Sequence, residues 1–241
     1  MHSNNLININ KRVCMKLWDI IAIEDSPNDL TPKLVVPSLY NLTVDSVGIR
    51  ISEQEARFMF CSELEKTNYF YSVETPTKGK YSFSGSEKIS ARSDISIYSA
   101  KANKLEHIAN VELKAGNPLE KDIIKDIRKL IFERRENATL EGNWFHFLKN
   151  ADSNTLNSLF KKFQESFNIL ASEVNLPDDS ISIQFTFCVL DKKWACTKKF
   201  IWKSGTDLNE YVNSFFNIQY NIKNSNINVK NANGWEIFRK N

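Results

Sequence analysis

The sequence predicts an α/β domain in which a mixed central sheet is flanked by helices. A helix precedes the β-region, because residues 52–55 form the S-x-x-E pattern of a capping box. Residues 92–116 and 181–190 alternate apolar and polar side chains with the period of a strand. Residues 119–135 and 156–174 carry apolar side chains at helical spacing. Helices and strands therefore interleave along the chain.

The first 50 residues are the least regular part of the sequence. Residues 13–23 (VCMKLWDIIAI) predict one helix or one buried strand, and the SPND and TP segments at 26–32 break the chain after them. A second apolar piece spans 34–47. The predicted organisation is an N-terminal helical or irregular extension packed on the core at 1–50, a core at 51–205 with a helical insertion at about 138–176, and a peripheral C-terminal segment, with a loop or hairpin, at 206–241.

The strands of the predicted core follow the capped helix. Residues 69–75 (YFYSVET) predict the first strand, which ends at a proline, and residues 77–88 (TKGKYSFSGSEK) predict a loop or hairpin. The two runs within 92–116 are the second and third strands, and the Gly-Asn-Pro at 116–118 then permits a helix start. Residues 194–203 add a further strand near the end of the core.

The stretch at 92–116 carries the candidate chemistry. Strict alternation places the polar side chains of each run on one face: Asp94, Ser96 and Tyr98 in the first run, and Asn110, Glu112 and Lys114 in the second. If the runs pair, Asp94 and Glu112 supply the two carboxylates that a Mg²⁺ site typically uses, with Lys114 about 7 Å along the same face. The alternative is a solvated sheet face with a modest ion pair.

These residues resemble the PD-(D/E)xK nuclease superfamily, whose pattern is an acid on one strand and E-x-K on the next. Here the pattern is Asp94 followed by Glu112-Leu113-Lys114, with Ser93 in place of the proline. The resemblance implies a restriction-endonuclease-like αβββαβ core that cleaves nucleic acid, DNA in preference to RNA, with Mg²⁺ or Mn²⁺. It implies Asp94, Glu112 and the Leu113 carbonyl as metal ligands, and Lys114 as the residue that orients water or stabilises charge.

The superfamily often carries a further acid early in the helix that precedes its first core strand. Glu53 stands near the apolar stripe of the capped helix, so we assign this role to Glu53. Glu55 is explained by the capping box. Glu55 and Glu63 remain alternatives, because a helix start displaced by two residues would exchange them.

Four lysines are candidates for contacts with a nucleic-acid backbone, since phosphate contacts supply most sequence-independent affinity. Lys78 and Lys80 lie in the predicted loop, and Lys121 and Lys125 lie on the polar face of the helix at 119–135. The alternatives are an ordinary mobile connection for the loop and a solvated surface for the helix. Asp126, which borders the apolar stripe of that helix, is interpreted as structural.

Charge, cysteine and histidine content, and hydropathy limit the functions that this sequence can have. The formal charge is +3, which is too small to argue for nucleic acid through the overall field. Four cysteines without a C-x-x-C pair and three scattered histidines argue against a zinc site. Because no signal peptide or apolar span is visible, we expect a cytoplasmic protein that does not bind a membrane.

The setting predicted for this activity is restriction, repair or antiviral defence. A homodimer is plausible, because cleavage of both strands by one such site requires two subunits, and so is a role as a partner subunit of a defence system. The alternative from another functional class is a non-catalytic scaffold of the same fold that binds nucleic acid or a partner protein.

Overall fold

The computed structural model describes residues 2–21, 51–81, 89–174, 179–223 and 226–240. The apolar piece predicted at 34–47 and the break at 26–32 lie outside these residues. The described elements, in chain order, are α1 (His2–Ile21), α2 (Glu53–Leu64), β1 (Phe70–Tyr81), β2 (Ile89–Lys101), β3 (Lys104–Ala115), α3 (Glu120–Glu136), β4 (Glu141–Leu148), α4 (Ser153–Ala171), β5 (Ser180–Val189), β6 (Trp194–Lys203), α5 (Leu208–Phe215), β7 (Gln219–Lys223), β8 (Asn226–Asn231) and β9 (Glu236–Arg239).

The fold is a mixed α/β arrangement around one seven-stranded sheet of order β1-β2-β3-β4-β5-β6-β9. Most neighbouring strands are antiparallel, and only β3–β4 and β4–β5 are parallel. Helices α1 and α2 cover one face of the sheet, whereas α3, α4 and α5 cover the other. The predicted α/β class with flanking helices is therefore confirmed at this level. No helix in the described ranges has the length and apolar character needed to cross a membrane.

Helix α2 begins as its capping box predicts. The Ser52 side chain accepts from the backbone of Gln54, and the Glu55 carboxylate accepts from the backbone N–H of Ser52 at 2.7 Å. The box satisfies N–H groups that a helix start otherwise leaves without partners. Its apolar stripe, including Ala56 and Phe60, is fully buried.

Helix α1 is longer than predicted and starts at His2 rather than near residue 13. Its buried side chains recur at helical spacing: Leu6, Ile9, Val13 and Leu17. An ionic contact joins it to α2, because Glu63 is 1% exposed and pairs with Arg12 at 2.5 Å and Lys16 at 2.7 Å. Burial raises the pKa of Glu63, but hydrogen bonds from Lys16, Lys66 and Arg12 outweigh it and lower the pKa to about 2.

Part of the helical insertion predicted at 138–176 is a strand. Residues Glu141–Leu148 form β4, a strand between β3 and β5, and the helix of this region is α4 at Ser153–Ala171. Every residue of β4 after Glu141 is buried, because it lies inside the sheet with helices on both faces. A strand buried on both faces shows a continuous apolar run instead of alternation.

Two other boundaries differ from the prediction. Strand β1 continues through Pro76 to Tyr81, with a register shift between Pro76 and Lys80, so Lys78 and Lys80 lie on a strand and not in a loop. Residues 82–88 of the predicted loop lie outside the described residues. The C-terminal segment contains the predicted hairpin, β7–β8, but it is not wholly peripheral, because β9 joins the main sheet and Trp235 is buried in the core.

Candidate active site

The candidate site is built on the β2–β3 hairpin, which confirms the two strands predicted in 92–116. The strands pair in antiparallel register, with Ile95 opposite Val111, and turn at two residues with positive φ, Ala102 and Asn103. Ile95 and Val111 face the core formed with α1 and α2. Alternation therefore directs the neighbouring polar side chains to the other face of the sheet, where α3 lies.

An open cleft of about 890 Å³ lies over this hairpin, between α2 and α3. Its walls include all four predicted catalytic residues: Glu53 from the first turn of α2, Asp94 from β2, and Glu112 and Lys114 from β3. Residues more than 60 positions apart in the chain are thus brought to one concave surface. A concave surface on which polar groups with shifted pKa values converge is a candidate binding or catalytic site.

A continuous chain of ion pairs runs through the floor of the cleft. Glu112 Oε2 accepts from Lys129 Nζ at 2.7 Å, and Lys129 also pairs with Asp126 Oδ1 at 2.7 Å. The other oxygen of Asp126 pairs with Lys114 Nζ at 2.8 Å, and Lys114 lies 3.8 Å from Glu53 Oε1. Glu112, Asp126 and Lys129 are 1%, 2% and 4% exposed, so this part of the chain is shielded from water. Alternating charges make such burial tolerable.

Asp94 is held by a different pair of donors. Its Oδ2 accepts from the backbone N–H of Leu113 at 2.7 Å, and its Oδ1 accepts from Arg57 Nη2 at 2.8 Å. Arg57 Nη2 also lies 2.6 Å from Glu74 Oε1, and Glu74 has a positive φ of 51°. The Leu113 contact spans the two strands, so the Asp94 carboxylate is fixed next to the E-x-K segment of β3.

The pKa values of these groups follow from burial and from the chain of charges. Burial, and then the negative charges of Asp126 and Asp94, raise the pKa of Glu112 against the effect of Lys129. Burial lowers the pKa of Lys114, but the carboxylates of Asp126, Glu53 and Asp94 together outweigh it and the net shift is upward. Burial raises the pKa of Asp126, but Lys129 and Lys114 outweigh it and the net shift is downward. Lys114 is therefore a cation at neutral pH.

The oxygen atoms around Glu112 fit a hard divalent cation in part. Among the described residues, Glu112 Oε1 is buried without a hydrogen-bond partner, so this carboxylate oxygen can bind a cation. Asp94 accepts from the Leu113 N–H, next to Glu112 in the chain, and its carboxylate oxygens are of the kind that Mg²⁺ prefers. Among the residues that the structure describes, however, no group of three or more His, Cys, Asp or Glu side chains is arranged to hold a metal ion.

The three candidate acids of α2 have separate positions. Glu53 lines the cleft and accepts from the backbone N–H of Ala115 at 3.3 Å. Burial, which outweighs the nearby Lys114, raises the pKa of Glu53. Glu55 is occupied by the capping box, and Glu63 by the cations of α1. Of the three, only Glu53 is brought together with Asp94 and Glu112.

The four predicted phosphate-binding lysines divide into two pairs. Lys121 and Lys125 are exposed on α3 and line the cleft. Lys78 and Lys80 are exposed on β1 but are not part of its lining. The backbone of the Lys78 region is instead held by α3, because the N–H of Lys78 donates to Glu133 at 3.1 Å. The structure therefore brings only the α3 pair to the candidate site.

Two buried charged residues of the cleft, Lys129 and Asp126, were not among the predicted site residues. Asp126 was interpreted as structural. A signal was present, because Asp126, Lys129 and Glu133 are spaced by three and four residues and form a charged stripe along one side of the helix. All three are buried. The sequence therefore shows the charged stripe, whereas its burial depends on how α3 packs over the hairpin.

The turn between β3 and α3 is held by His146 of β4. Since the Gly116 carbonyl can only accept, His146 Nε2 donates to it, at 2.7 Å. Lys162 of α4 donates to the Pro118 carbonyl at 2.9 Å. Gly116 has a positive φ of 68°, which glycine adopts without strain. These contacts set the position from which α3 carries Asp126 and Lys129 over the hairpin.

His146 predicts an acid sensitivity of the fold. It is 0% exposed, and burial lowers its pKa to about 4. An unfolded histidine titrates near 6.5, so the unfolded state takes up the proton first and stability falls as the pH drops from 6.5 towards 4. Between pH 7 and pH 5 we expect His146 to account for a loss of about 2 kcal/mol in the free energy of unfolding. Urea unfolding at the two pH values measures it: His146→Gln should lack this loss. Burial lowers the pKa of His107 as well, so His107→Gln should remove only the contribution of His107 and retain that of His146.

Comparisons of the chain with protein-family models, with curated proteins and with solved structures give no match.

Proposed function

We propose that this chain is a metal-dependent nuclease that hydrolyses phosphodiester bonds, with DNA in preference to RNA as its substrate. The observation that carries the proposal is the single cleft that collects Glu53, Asp94, Glu112 and Lys114 from three separate elements. These residue types suit phosphodiester hydrolysis, which needs oxygen ligands for a hard cation and a positive charge near the phosphate.

The order of elements supports a restriction-endonuclease-like core. From Glu53 to Leu148 the chain runs α2, β1, β2, β3, α3 and β4, which is the αβββαβ order that the resemblance implies. Strand β4 is the last element of this series, and it pairs with β3 in parallel. The candidate acids are on β2 and β3, the two strands on which the E-x-K pattern requires them.

The proposed metal is Mg²⁺ or Mn²⁺, held by Asp94, Glu112 and the Leu113 carbonyl. The unpartnered Glu112 Oε1 supports this assignment. Such an ion, when bound, polarises a phosphoryl oxygen and makes a bound water more acidic. The hydrolysis forms a bond between a water oxygen and phosphorus and breaks one ester P–O bond, whose oxygen leaves with a proton.

The side chains of the cleft have distinct roles in this proposal. Lys114 is 14% exposed and supplies a positive charge that orients water or stabilises the negative charge on the phosphate oxygens. Asp126 and Glu53 hold the Lys114 ammonium from two sides. Lys121 and Lys125, on the outer side of α3, would contact backbone phosphates, which position a nucleic acid without reading its sequence.

A second candidate function is a non-catalytic scaffold that binds nucleic acid or a partner protein. The observation that favours it is the internal pairing of the cleft. Lys129 neutralises Glu112, and Arg57 neutralises Asp94, so both acids have cationic partners within the chain. On this alternative the cleft would bind a ligand through Lys121 and Lys125 and would cut nothing.

A cleavage assay separates the two functions. Plasmid, linear duplex and single-stranded substrates are incubated with the protein in Mg²⁺, Mn²⁺ or EDTA. We expect cleavage that EDTA abolishes and that Asp94→Asn reduces at least about 100-fold, because a metal ligand is lost. Asp122→Asn is the matched control, since Asp122 also lines the cleft but is assigned no ligand role. Binding of all three substrates without cleavage in any metal would favour the scaffold.

A further inference from the structure

The ammonium group of Lys129 occupies a position made of three oxygen atoms. Its Nζ donates to Glu112 Oε2 at 2.7 Å and to the Arg92 carbonyl at 2.8 Å, and it pairs with Asp126 Oδ1 at 2.7 Å. An ammonium has three donors, and here each has its own acceptor. The side chain is 4% exposed, so this is a buried and fully bonded cation at the edge of the cleft.

The three acceptors are the oxygen types that hold hard divalent cations. Two carboxylates and one backbone carbonyl form an ordinary partial ligand set for Mg²⁺ or Mn²⁺. Glu112 belongs to this set through Oε2 and to the proposed metal site through Oε1. A carboxylate shared in this way is how two metal ions are held about 4 Å apart in hydrolytic sites.

The two oxygens of Glu112 are in different states. Oε2 is bonded to Lys129, whereas Oε1 is buried and has no hydrogen-bond partner in the part of the chain that the structure describes. One cation position next to Glu112 is thus filled by the protein itself, and one is open. Lys114 does not fill the open position, because its close contact is with Asp126 at 2.8 Å and it lies 3.8 Å from Glu53.

We propose that the Lys129 ammonium takes the second cation position of this cleft, so that the protein binds one divalent ion and not two. The inference rests on the proposed function, since it assumes that Asp94 and Glu112 bind a metal. It adds the stoichiometry of that site and assigns Lys129 as the positioning residue that determines it. In this arrangement the fixed charge of Lys129 stabilises Glu112 in the place of a second ion.

Counting bound Mn²⁺ tests the inference. Electron paramagnetic resonance measures free Mn²⁺ in titrations of the full chain, and calorimetry gives an independent stoichiometry. We expect one ion for the wild type and two for Lys129→Ala, which opens the position and leaves its three oxygens in place. Lys129→Met is the matched control, because it removes the same charge but fills the space, and it should bind one ion. Circular dichroism of both variants checks that they fold.

The outcomes separate this inference from the function on which it rests. Two ions on the wild type would overturn the inference whatever the variants do, and would leave the proposed function intact. A folded Lys129→Ala that binds one ion, or a Lys129→Met that binds two, would also overturn it. No Mn²⁺ on the wild type would contradict the proposed function itself. One ion on the wild type with two on Lys129→Ala and one on Lys129→Met supports both.

Discussion

Glu112→Gln is expected to abolish metal-dependent cleavage, with a loss of at least about 1,000-fold in rate. A bound metal ion contributes several kcal/mol of transition-state stabilisation, and about 1.4 kcal/mol corresponds to a tenfold change. Glutamine keeps the size of the side chain and one oxygen that can accept from Lys129. It removes the negative charge that Glu112 Oε1, buried and unpartnered, would offer to a cation. Steady-state cleavage of the preferred substrate measures the loss.

The control for this prediction is a variant that should lose rate without losing the ion. Lys114→Met removes the ammonium proposed to act on the phosphate but no proposed ligand, and we expect a loss of about 100-fold in rate with metal affinity retained. Calorimetric titration with Mn²⁺ distinguishes the variants, because only Glu112→Gln should weaken binding. Glu112→Gln that cleaves at the wild-type rate would exclude Glu112 from the chemistry.

The strands of the candidate site were predictable because each has one apolar and one polar face. Residues 92–116 alternate strictly, and the two runs form β2 and β3 with the acids on one face. The same pattern predicted residues 181–190, which correspond to β5, and residues 194–203 coincide with β6. Residues 181–189 of β5 are all buried, but the strand still alternates because its Ser182, Gln184 and Thr186 side chains are polar and hydrogen-bonded within the protein.

Two elements could not be predicted from the sequence. One is a strand whose aromatic side chains are buried on both faces, and the other is the asparagine-rich first half of a helix. Strand β4 is buried on both faces, so its aromatic run carries no alternation. The first half of α1 is rich in asparagine, which indicates loops more often than helices. There the fold buries Asn10, which donates to Asn143 and Thr186 at 2.8 Å each. Tertiary contacts of this kind override local preference.

The ion-pair partners of Lys114 and Glu112, which are Asp126 and Lys129, also could not be predicted from the sequence. Alternation within β2 and β3 brought Asp94, Glu112 and Lys114 to one face, but it does not report which helix covers them. Asp126 and Lys129 are buried only because α3 crosses the hairpin, and that packing depends on a β4 that the sequence did not show. A charged residue beside an apolar helical stripe is more commonly solvated. The residues of the candidate site on β2 and β3 could be predicted from the sequence. Their counter-ions on α3 could be identified only from the packing of that helix.

Lys129→Met is expected to destabilise the protein by about 3–5 kcal/mol, the usual cost of removing one partner from a buried ion pair. The variant keeps the volume of the side chain but leaves Glu112, which is 1% exposed, beside Asp126 without its closest cation. Equilibrium unfolding in urea, with EDTA present, measures the change. The loss should be larger at pH 8 than at pH 5. Glu112 without Lys129 has a pKa raised further above its unfolded value, and protonation at low pH relieves the unpaired charge.

The double variant Glu112→Gln with Lys129→Met separates the ion pair from simple packing. Replacing both partners removes the unpaired charge, so the double variant should recover more than half of the stability that Lys129→Met loses. A double variant as unstable as the single one would mean that Lys129 acts through its contacts with Asp126 and the Arg92 carbonyl. A loss below about 1 kcal/mol in the single variant, the value of a surface ion pair, would contradict the burial of this pair and with it the argument that Lys129 is a fixed cation of the site.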